Sequence, residues 1–564
     1  MKLSIKLSLV AIAFMAVTIY SCSDSFLDTP PQAALSNSTL ASSKSGVDAT
    51  LIAAYKSLEG WTGDWGVGPW GAAPTNWIFN GASDDYHKGS EPGDGDGFLA
   101  FQLLQWNPAD DALRQKWIAD YEGINRANSS IRTANEFLSK NAGEASYVNN
   151  HIGQALFLRA YYHFDLYKIF KNVPYYYETD TDFQKANDKP VLPLVIADLE
   201  KAIGLLDANK AAVGRVDKTV ATAYLGKAKL YNKDYTGALT EFNKVISSGK
   251  YKLVDCIYDN FNLSTENNSE MVLAVQSSVN DGDADGANGN FADRLGLPHG
   301  DSYTGCCGFK QPTHDLVMSF KVDSKGLPIS TKGVAVKRIK AGDTDVLDPR
   351  VDYTAGRTGV PYLDWGLHKD SWIRGQGYQG WYSPKKGVHL QSNPTLSGGW
   401  AGTQLSALNV PLMRYSDVLL MAAECEVEVG SLAKAQEYVN MIRKRAGNCA
   451  QGSKSLKVAI NSTEITWAKY AVGTYDAAWT DKNAARDAVR LERRLELAME
   501  GHRFFDLQRW GALESVLPEY IARESKLVTV LGQAQPVATK HYAFPIPSTE
   551  IAKSAGNIKQ NPGY

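Results

Sequence analysis

The sequence predicts a mainly α-helical fold, with tetratricopeptide-like helix pairs as a scaffold for long, loop-rich elaborations and a few short strands. Three observations carry this. Apolar residues recur at helical spacing over 106–167, 218–248 and 415–445. The last two stretches read as helix, short turn, helix, with small residues where each pair must close. Over 60–98 and from about 250 to 410 that periodicity fails, and Gly, Pro, Asn and Asp become frequent. The chain has 564 residues, 44% hydrophobic and 21% charged, a packed composition that excludes a disordered or collagen-like protein. Its 59 basic and 61 acidic side chains nearly cancel, so there is no global field for nucleic acid, which is excluded as a partner.

Taken in order, the chain opens on an address. Lys2 and Lys6 lead into an apolar run of 14 residues, Leu7 to Tyr20, too short for the roughly 20 that span a bilayer. Residues 1–21 therefore read as a secretory signal. The segment Ile19-Tyr20-Ser21-Cys22 resembles the lipobox of bacterial lipoproteins, which implies acylation at Cys22 and a stable lipid anchor. The Ser-, Asp-, Pro- and Thr-rich stretch that follows makes 22–45 a tether, and 46–564 reads as one domain. Within it, about 100–250 and 411–510 supply the scaffold, while about 60–98 and 250–410 supply the loops.

In the scaffold, Trp117, Tyr121 and Ile124 recur on one helical face, as do Leu156, Ala160 and Phe164. Val220, Tyr224 and Tyr231 start a pair that continues through Tyr235, Ala238, Phe242 and Ile246. A second pair spans Tyr415–Val429 and Leu432–Arg445, split at Gly430, and a further amphipathic helix covers Arg486–Glu500. Met271–Val275 reads as a strand. Beyond Cys22 five cysteines remain, so at least one thiol is free and buried, and no Cys/His spacing supports zinc. Cys425 and Cys449, placed on consecutive helices at different heights, should not bridge. Adjacent Cys306 and Cys307 can close a ring with a flat, apolar face.

Several segments together resemble the SusD/RagB family of outer-membrane nutrient-binding lipoproteins. They are Cys22–Asp28, Ala155–Tyr167 (ALFLRAYYHFDLY) with Phe170–Pro174, Arg414–Glu424 (RYSDVLLMAAE) with Asn440–Gly447, Arg493–Gly511 (RRLELAMEGHRFFDLQRWG), and Phe544–Pro547 with Gln560–Tyr564. The resemblance implies a SusD-like fold on the cell exterior, an oligosaccharide or polysaccharide ligand, and a SusC-like TonB-dependent transporter as partner. The motif residues themselves read as structural. His502 and Asp506 sit four apart, but Arg494, Arg503 and Arg509 beside them point to an ion-paired helix rather than a catalytic dyad.

Sugar binding needs flat apolar faces for the C–H side of a ring and planar polar groups for paired hydroxyls. Residues 61–77 hold four tryptophans among Gly and Pro, of which Trp77 reads as core and Trp61, Trp65 and Trp70 as ligand candidates with Asp64. Asp84 and Asp85, with Tyr86, His87 and Lys88, add hydrogen-bonding groups. A second cluster is Trp365, Trp372, Arg374, Tyr378, Trp381 and Tyr382; Tyr303 with Cys306 and Cys307 is a third platform. Few lysines accompany these acidic loops, which favours a neutral glycan, a fructan among the options. No cofactor is expected. Asp281, Asp283 and Asp285 begin like a calcium loop, but Ala292 stands where a bidentate Glu belongs, with Asp293 next to it. Gly375–Gly380 fits a dinucleotide spacing without a strand–helix context. Neighbouring carboxylates in a loop do not make the spaced pair of a glycosidase, so no enzyme is expected. The rivals are a peptide-binding protein of the RagB kind and, less well supported, a lipid-anchored glycoside hydrolase.

Overall fold

The computed structural model describes residues 36–60, 69–282, 286–300, 305–397 and 404–564. The signal segment, Cys22 and most of the tether lie outside these residues, as do Trp61, Asp64, Trp65, Asp283, Asp285 and Tyr303. No helix among the described residues is long and apolar enough to cross a membrane.

The scaffold is one continuous array of helices. In chain order these are α1 (Lys44–Lys56), α2 (Asp111–Lys140), α3 (Ala145–Phe170), α4 (Val191–Leu205), α5 (Lys218–Tyr231) and α6 (Tyr235–Ser247), then α7 (Tyr415–Val429), α8 (Leu432–Ala446) and α9 (Lys482–Leu497). Each packs on the next in the series, and α6 lies against α7 despite the long excursion between them. Local chemistry sets the boundaries. Asp217, Asp234, Ser431 and Asp481 accept from backbone N–H groups in the first turns of α5, α6, α8 and α9. Close approach needs glycine: a Cβ on Gly226 would stand 2.6 Å from the Phe242 ring, and one on Gly123 2.6 Å from Tyr162. The expected helix over Arg486–Glu500 begins and ends a few residues earlier.

The recurrent motifs join this array through buried ion pairs. Arg159 on α3 makes two hydrogen bonds to Asp198 on α4, at 2.7 and 2.8 Å. Asp417 on α7 meets Arg493 at 2.5 Å and Lys227 at 3.1 Å. Arg414 reaches Glu496 at 2.9 Å and Glu500 at 2.7 Å. Asp506 is held by Arg493 at 2.6 Å and Arg509 at 2.9 Å, and burial lowers the pKa of His502 to about 3. Asp506 is thus engaged by two arginines, in the ion-paired helix that the sequence predicts.

The loop-rich parts carry short antiparallel pairs. Strand β1 (Tyr86–Gly89) pairs with β3 (Phe309–Pro312), and β2 (Met271–Val275) with β4 (Val410–Arg414). A disulfide joins Cys256 to Cys449, which lies beyond the end of α8 rather than on a helix, and Cys425 is free and buried. Cys306 and Cys307 form the second disulfide. Helix α10 (Leu513–Glu524) closes over the β1–β3 pair, and the C-terminal α11 (Ser548–Lys553) returns toward α2.

Candidate functional site

Pairing of β1 with β3 sets Gly89 opposite Phe309 and creates a cavity of about 580 Å³ beside the pair. Only glycine fits at position 89: its φ is +85°, and a Cβ would lie 2.3 Å from the Gly308 carbonyl oxygen. Ser90 N–H donates to that carbonyl at 2.6 Å. The cavity then gathers side chains from distant segments. Trp70, the Cys306–Cys307 disulfide and Arg374 all line it, together with Phe98 and Phe309. Phe98 and Phe309 meet edge to face, with ring centroids 5.8 Å apart, backed by the buried Trp77.

The polar side is preorganised. The Arg374 guanidinium donates to Asp94 at 2.7 Å and Ser90 Oγ at 3.1 Å, and also pairs with Glu91. Ser90 Oγ donates to Asp94 at 2.6 Å. Beneath them Lys88 donates to the backbone carbonyls of Glu91 (3.1 Å) and Asp94, and its ammonium lies 5.6 Å from the Phe309 ring centre and 5.3 Å from that of Tyr378. Burial lowers the pKa of Lys88. Glu91 and Asp94 are the acidic pair of the rim, and one guanidinium answers both.

Of the residues predicted from sequence, Trp70, Cys306, Cys307 and Arg374 come together here. Several others do not. Asp84 and Asp85 are buried and serve the scaffold: Arg503 binds Asp84 through two hydrogen bonds of 2.7 and 2.8 Å, and Arg494 pairs with Asp85 at 2.8 Å. Burial alone would raise the Asp84 pKa, but Arg494 and Arg503 outweigh it and hold the group below its usual range, whereas burial prevails at Asp85 and raises it. Trp365 and Trp372 belong to a buried cluster with Tyr353 and Tyr362, and the Trp365 indole donates to the His389 carbonyl at 3.0 Å. Tyr382 is buried too, its hydroxyl accepting from Ile339 N–H at 2.6 Å. These five are corrected from ligand contacts to core. Trp381 stays half-buried with Arg338 stacked 4.1 Å from its ring centre, outside the cavity lining.

Two metal readings can be tested on the residues. Asp281 accepts from Asn288 at 2.7 Å, and Asp293 is bound by Lys310 at 2.5 Å, so the acid beside Ala292 is already engaged. His87, His314 and Glu524 place ligand atoms within 4.8 Å of one another, all buried. Their hydrogen bonds oppose a metal. Gln102 Oε1 accepts from Lys88 N–H at 2.7 Å, so its amide nitrogen donates to His87 Nδ1 at 3.1 Å. His87 Nε2 therefore carries the proton and donates to Glu524 at 3.0 Å, leaving no lone pair for a cation. His314 Nδ1 meets the same oxygen at 2.7 Å, while the N–H groups of His314 and Asp315 fix the carboxylate at 2.8 and 3.0 Å. The trio ties α10 to β1 and to the turn of helix that follows β3, His314–Ser319. Reading from sequence missed it, because its members stand hundreds of residues apart.

Comparison with known proteins adds a family. The profile described as the SusD family matches residues 269–564, and one described as starch-binding, associating with outer membrane, matches 25–231. A SusD-like protein of Formosa agariphila is 23% identical, with 96% of each chain covered. A SusD-like protein of Bacteroides ovatus is 24% identical, over 90% of this chain and 83% of that one. Among solved structures, a laminarin-binding SusD-like protein is 24% identical with a TM-score of 0.65, covering 92% of this chain and 99% of that one. Surface glycan-binding protein A of Bacteroides thetaiotaomicron, solved with laminarihexaose, is 18% identical with a TM-score of 0.65 and the same coverage. A SusD homologue from the same organism reaches a TM-score of 0.70 at 18% identity, over 94% and 99% of the two chains.

Proposed function

Because the chain belongs to the SusD family, we propose that it is a surface glycan-binding lipoprotein, anchored to the outer membrane through Cys22 and facing the cell exterior. It captures a neutral oligosaccharide or polysaccharide and delivers it to a SusC-like TonB-dependent transporter, breaking no bond. The observation that carries this reading is the cavity beside β1 and β3. It joins aromatic and disulfide surfaces (Trp70, Phe98, Cys306–Cys307) to one planar guanidinium (Arg374) held in place by Ser90, Glu91 and Asp94. Such a mixture suits a sugar ring, which is apolar on its C–H face and hydroxylated at its edge. Glu91 and Asp94 balance the Arg374 guanidinium and the Lys88 ammonium beneath it, so the rim has no surplus positive charge to attract sulfated or uronic glycans. Glu91 and Asp94 are both engaged by the same guanidinium, through Nη2 and Nη1, unlike the free acid and nucleophile that flank a glycosidic bond. Laminarin binding by one structural neighbour and the laminarihexaose complex of another support a glucan alongside a fructan as candidates.

Affinity electrophoresis of the full chain in mild detergent, through gels containing laminarin, inulin, starch or an anionic polysaccharide, tests this. Retardation by a neutral polymer, reduced about tenfold or more in apparent affinity by Trp70→Ala and by Arg374→Ala, is expected. Retardation by the anionic polymer alone would overturn the charge argument. Binding of peptides with no retardation by any polymer would establish the peptide reading instead.

A further inference from the structure

A larger cavity, about 750 Å³, lies on the helical scaffold and shares no lining residue with the first. Its floor is Trp117 and Tyr121 of α2, and its wall is the segment 174–183. That segment is fastened along α2 by side chains: Tyr121 donates to the Pro174 carbonyl (2.8 Å), Asn128 to that of Tyr176 (3.2 Å) and Arg132 to that of Glu178 (3.2 Å). Tyr176 in turn donates to the Phe183 carbonyl at 2.8 Å, and Gln184 donates to the Lys553 carbonyl at 3.2 Å, closing the cavity against α11. These bonds hold the wall in place without a ligand.

The lining selects a chemical class. Every acidic group at the mouth already has a cation: Glu178 pairs with Arg159 at 2.5 Å, Asp180 with Lys185 at 2.5 Å and Glu550 with Lys553 at 2.9 Å. One further charge lines the cavity, the Arg132 guanidinium turned to the Glu178 carbonyl at 3.2 Å, and the other lining groups are uncharged. Tyr176 and Tyr177 are half-buried in the wall, and Phe183 stands 77% exposed at the rim, where its ring extends the aromatic surface of the wall. Asn125, Thr179 and Thr181 bring amide and hydroxyl groups to the same space. Flat apolar faces with neutral donors and acceptors fit an uncharged, hydroxylated ring, and cavities of this size commonly hold small ligands. We propose that this cavity is a second site for a neutral oligosaccharide, so that one chain grips a glycan polymer at two places. The proposal rests on the glycan-capture reading above.

Two weak sites on one chain raise the apparent affinity for a polymer without changing either site's affinity for a short oligosaccharide. The test is a titration of the full chain with laminarihexaose and with laminarin, repeated with a short inulin oligosaccharide and inulin, following heat and stoichiometry. The variants are Phe183→Ala/Asn125→Ala and, separately, Arg374→Ala. Both changed residues of the first variant are exposed, and a circular dichroism melt checks that it remains folded. The expected result is two oligosaccharides per intact chain and one per chain in either variant, with polymer affinity falling about tenfold in Phe183→Ala/Asn125→Ala. One oligosaccharide per intact chain, with the double variant binding polymer as tightly as the intact chain, would overturn the second site and leave the capture reading standing. Absence of binding by the intact chain to both sugars and both polymers would remove both readings.

Discussion

At position 84 a carboxylate that neighbours an aromatic loop in sequence turns inward to Arg503 and Arg494, and at 374 an arginine in a comparable loop turns outward to a cavity. Burial, not residue type, separates the two roles. Removing one partner of a buried pair leaves the other charge uncompensated, at a cost of about 3–5 kcal/mol. Asp84→Asn is thus expected to lower stability by roughly that amount in urea unfolding. Glycan retention of the folded protein should be kept, since residue 84 does not line the cavity. The sign with pH follows from linkage. The Asp84 pKa is held below its unfolded value near 3.9, so its stabilisation is complete above about pH 4 and is lost as pH falls through the folded value. The difference between Asp84→Asn and the intact chain should therefore shrink below about pH 4. A difference that stays constant down to pH 2 would show that the carboxylate's charge is not what stabilises the site. His87 gives the complementary lesson: two histidines and a glutamate at ligating distance read as a metal site until the Gln102 amide fixes the tautomer.

Helices were the legible elements. The pairs 218–248 and 415–445 lie where apolar spacing places them, because their caps and their closest contacts are local: Asp217, Asp234 and Ser431 at the starts, Gly226 against Phe242 within one pair. What could not be read is how the elements come together across the chain. Nothing near 86–89 indicates pairing with 309–312, yet that register builds the cavity and decides which of the Trp-, Asp- and Cys-bearing loops line it. Likewise Trp365 and Trp372, set among glycines, carry no periodicity to mark them as core; the Cys256–Cys449 disulfide packs in their cluster and ties it to the end of α8. This bond spans 193 residues of sequence, and loop-closure entropy assigns it about 5 kcal/mol as an upper figure. Replacing both cysteines by serine is expected to cost about 2–5 kcal/mol in denaturant unfolding, with glycan retention intact at room temperature because neither residue lines the cavity. Loss of retention without loss of stability would place the disulfide's role in the site instead.

Across the whole molecule the net charge is small, but the interior is heavily ionised, and that sets how the fold answers acid. Its basic and acidic side chains are paired, one set joining α3 to α4 and another linking α5, α7 and α9. His87 and His314 share Glu524, but the buried His151, His163, His368 and His389 have no ion pair among the described residues. Burial lowers His151 and His389 to about 4 and His368 to about 3, and puts His163 well below its ordinary value. In the unfolded chain each titrates near 6.5. Between that value and the folded one the unfolded state binds more protons, so stability rises with pH there and is lost as pH falls. The window opens near pH 6.5, well above the range in which the depressed carboxylates act. Each such histidine withdraws up to about 1.4 kcal/mol per pH unit across it. A melting temperature that falls by several degrees between pH 7 and pH 5.5 is expected, followed by calorimetry in matched ionic strength. His368, whose Nε2 shares a hydrogen bond with Ser383 Oγ at 2.9 Å, is the place to test the cause. His368→Gln keeps a polar group there but removes the titration, so its melting temperature should start lower at pH 7 and decline less steeply toward pH 5.5. Equal slopes for the variant and the intact chain would assign the acid response to other groups.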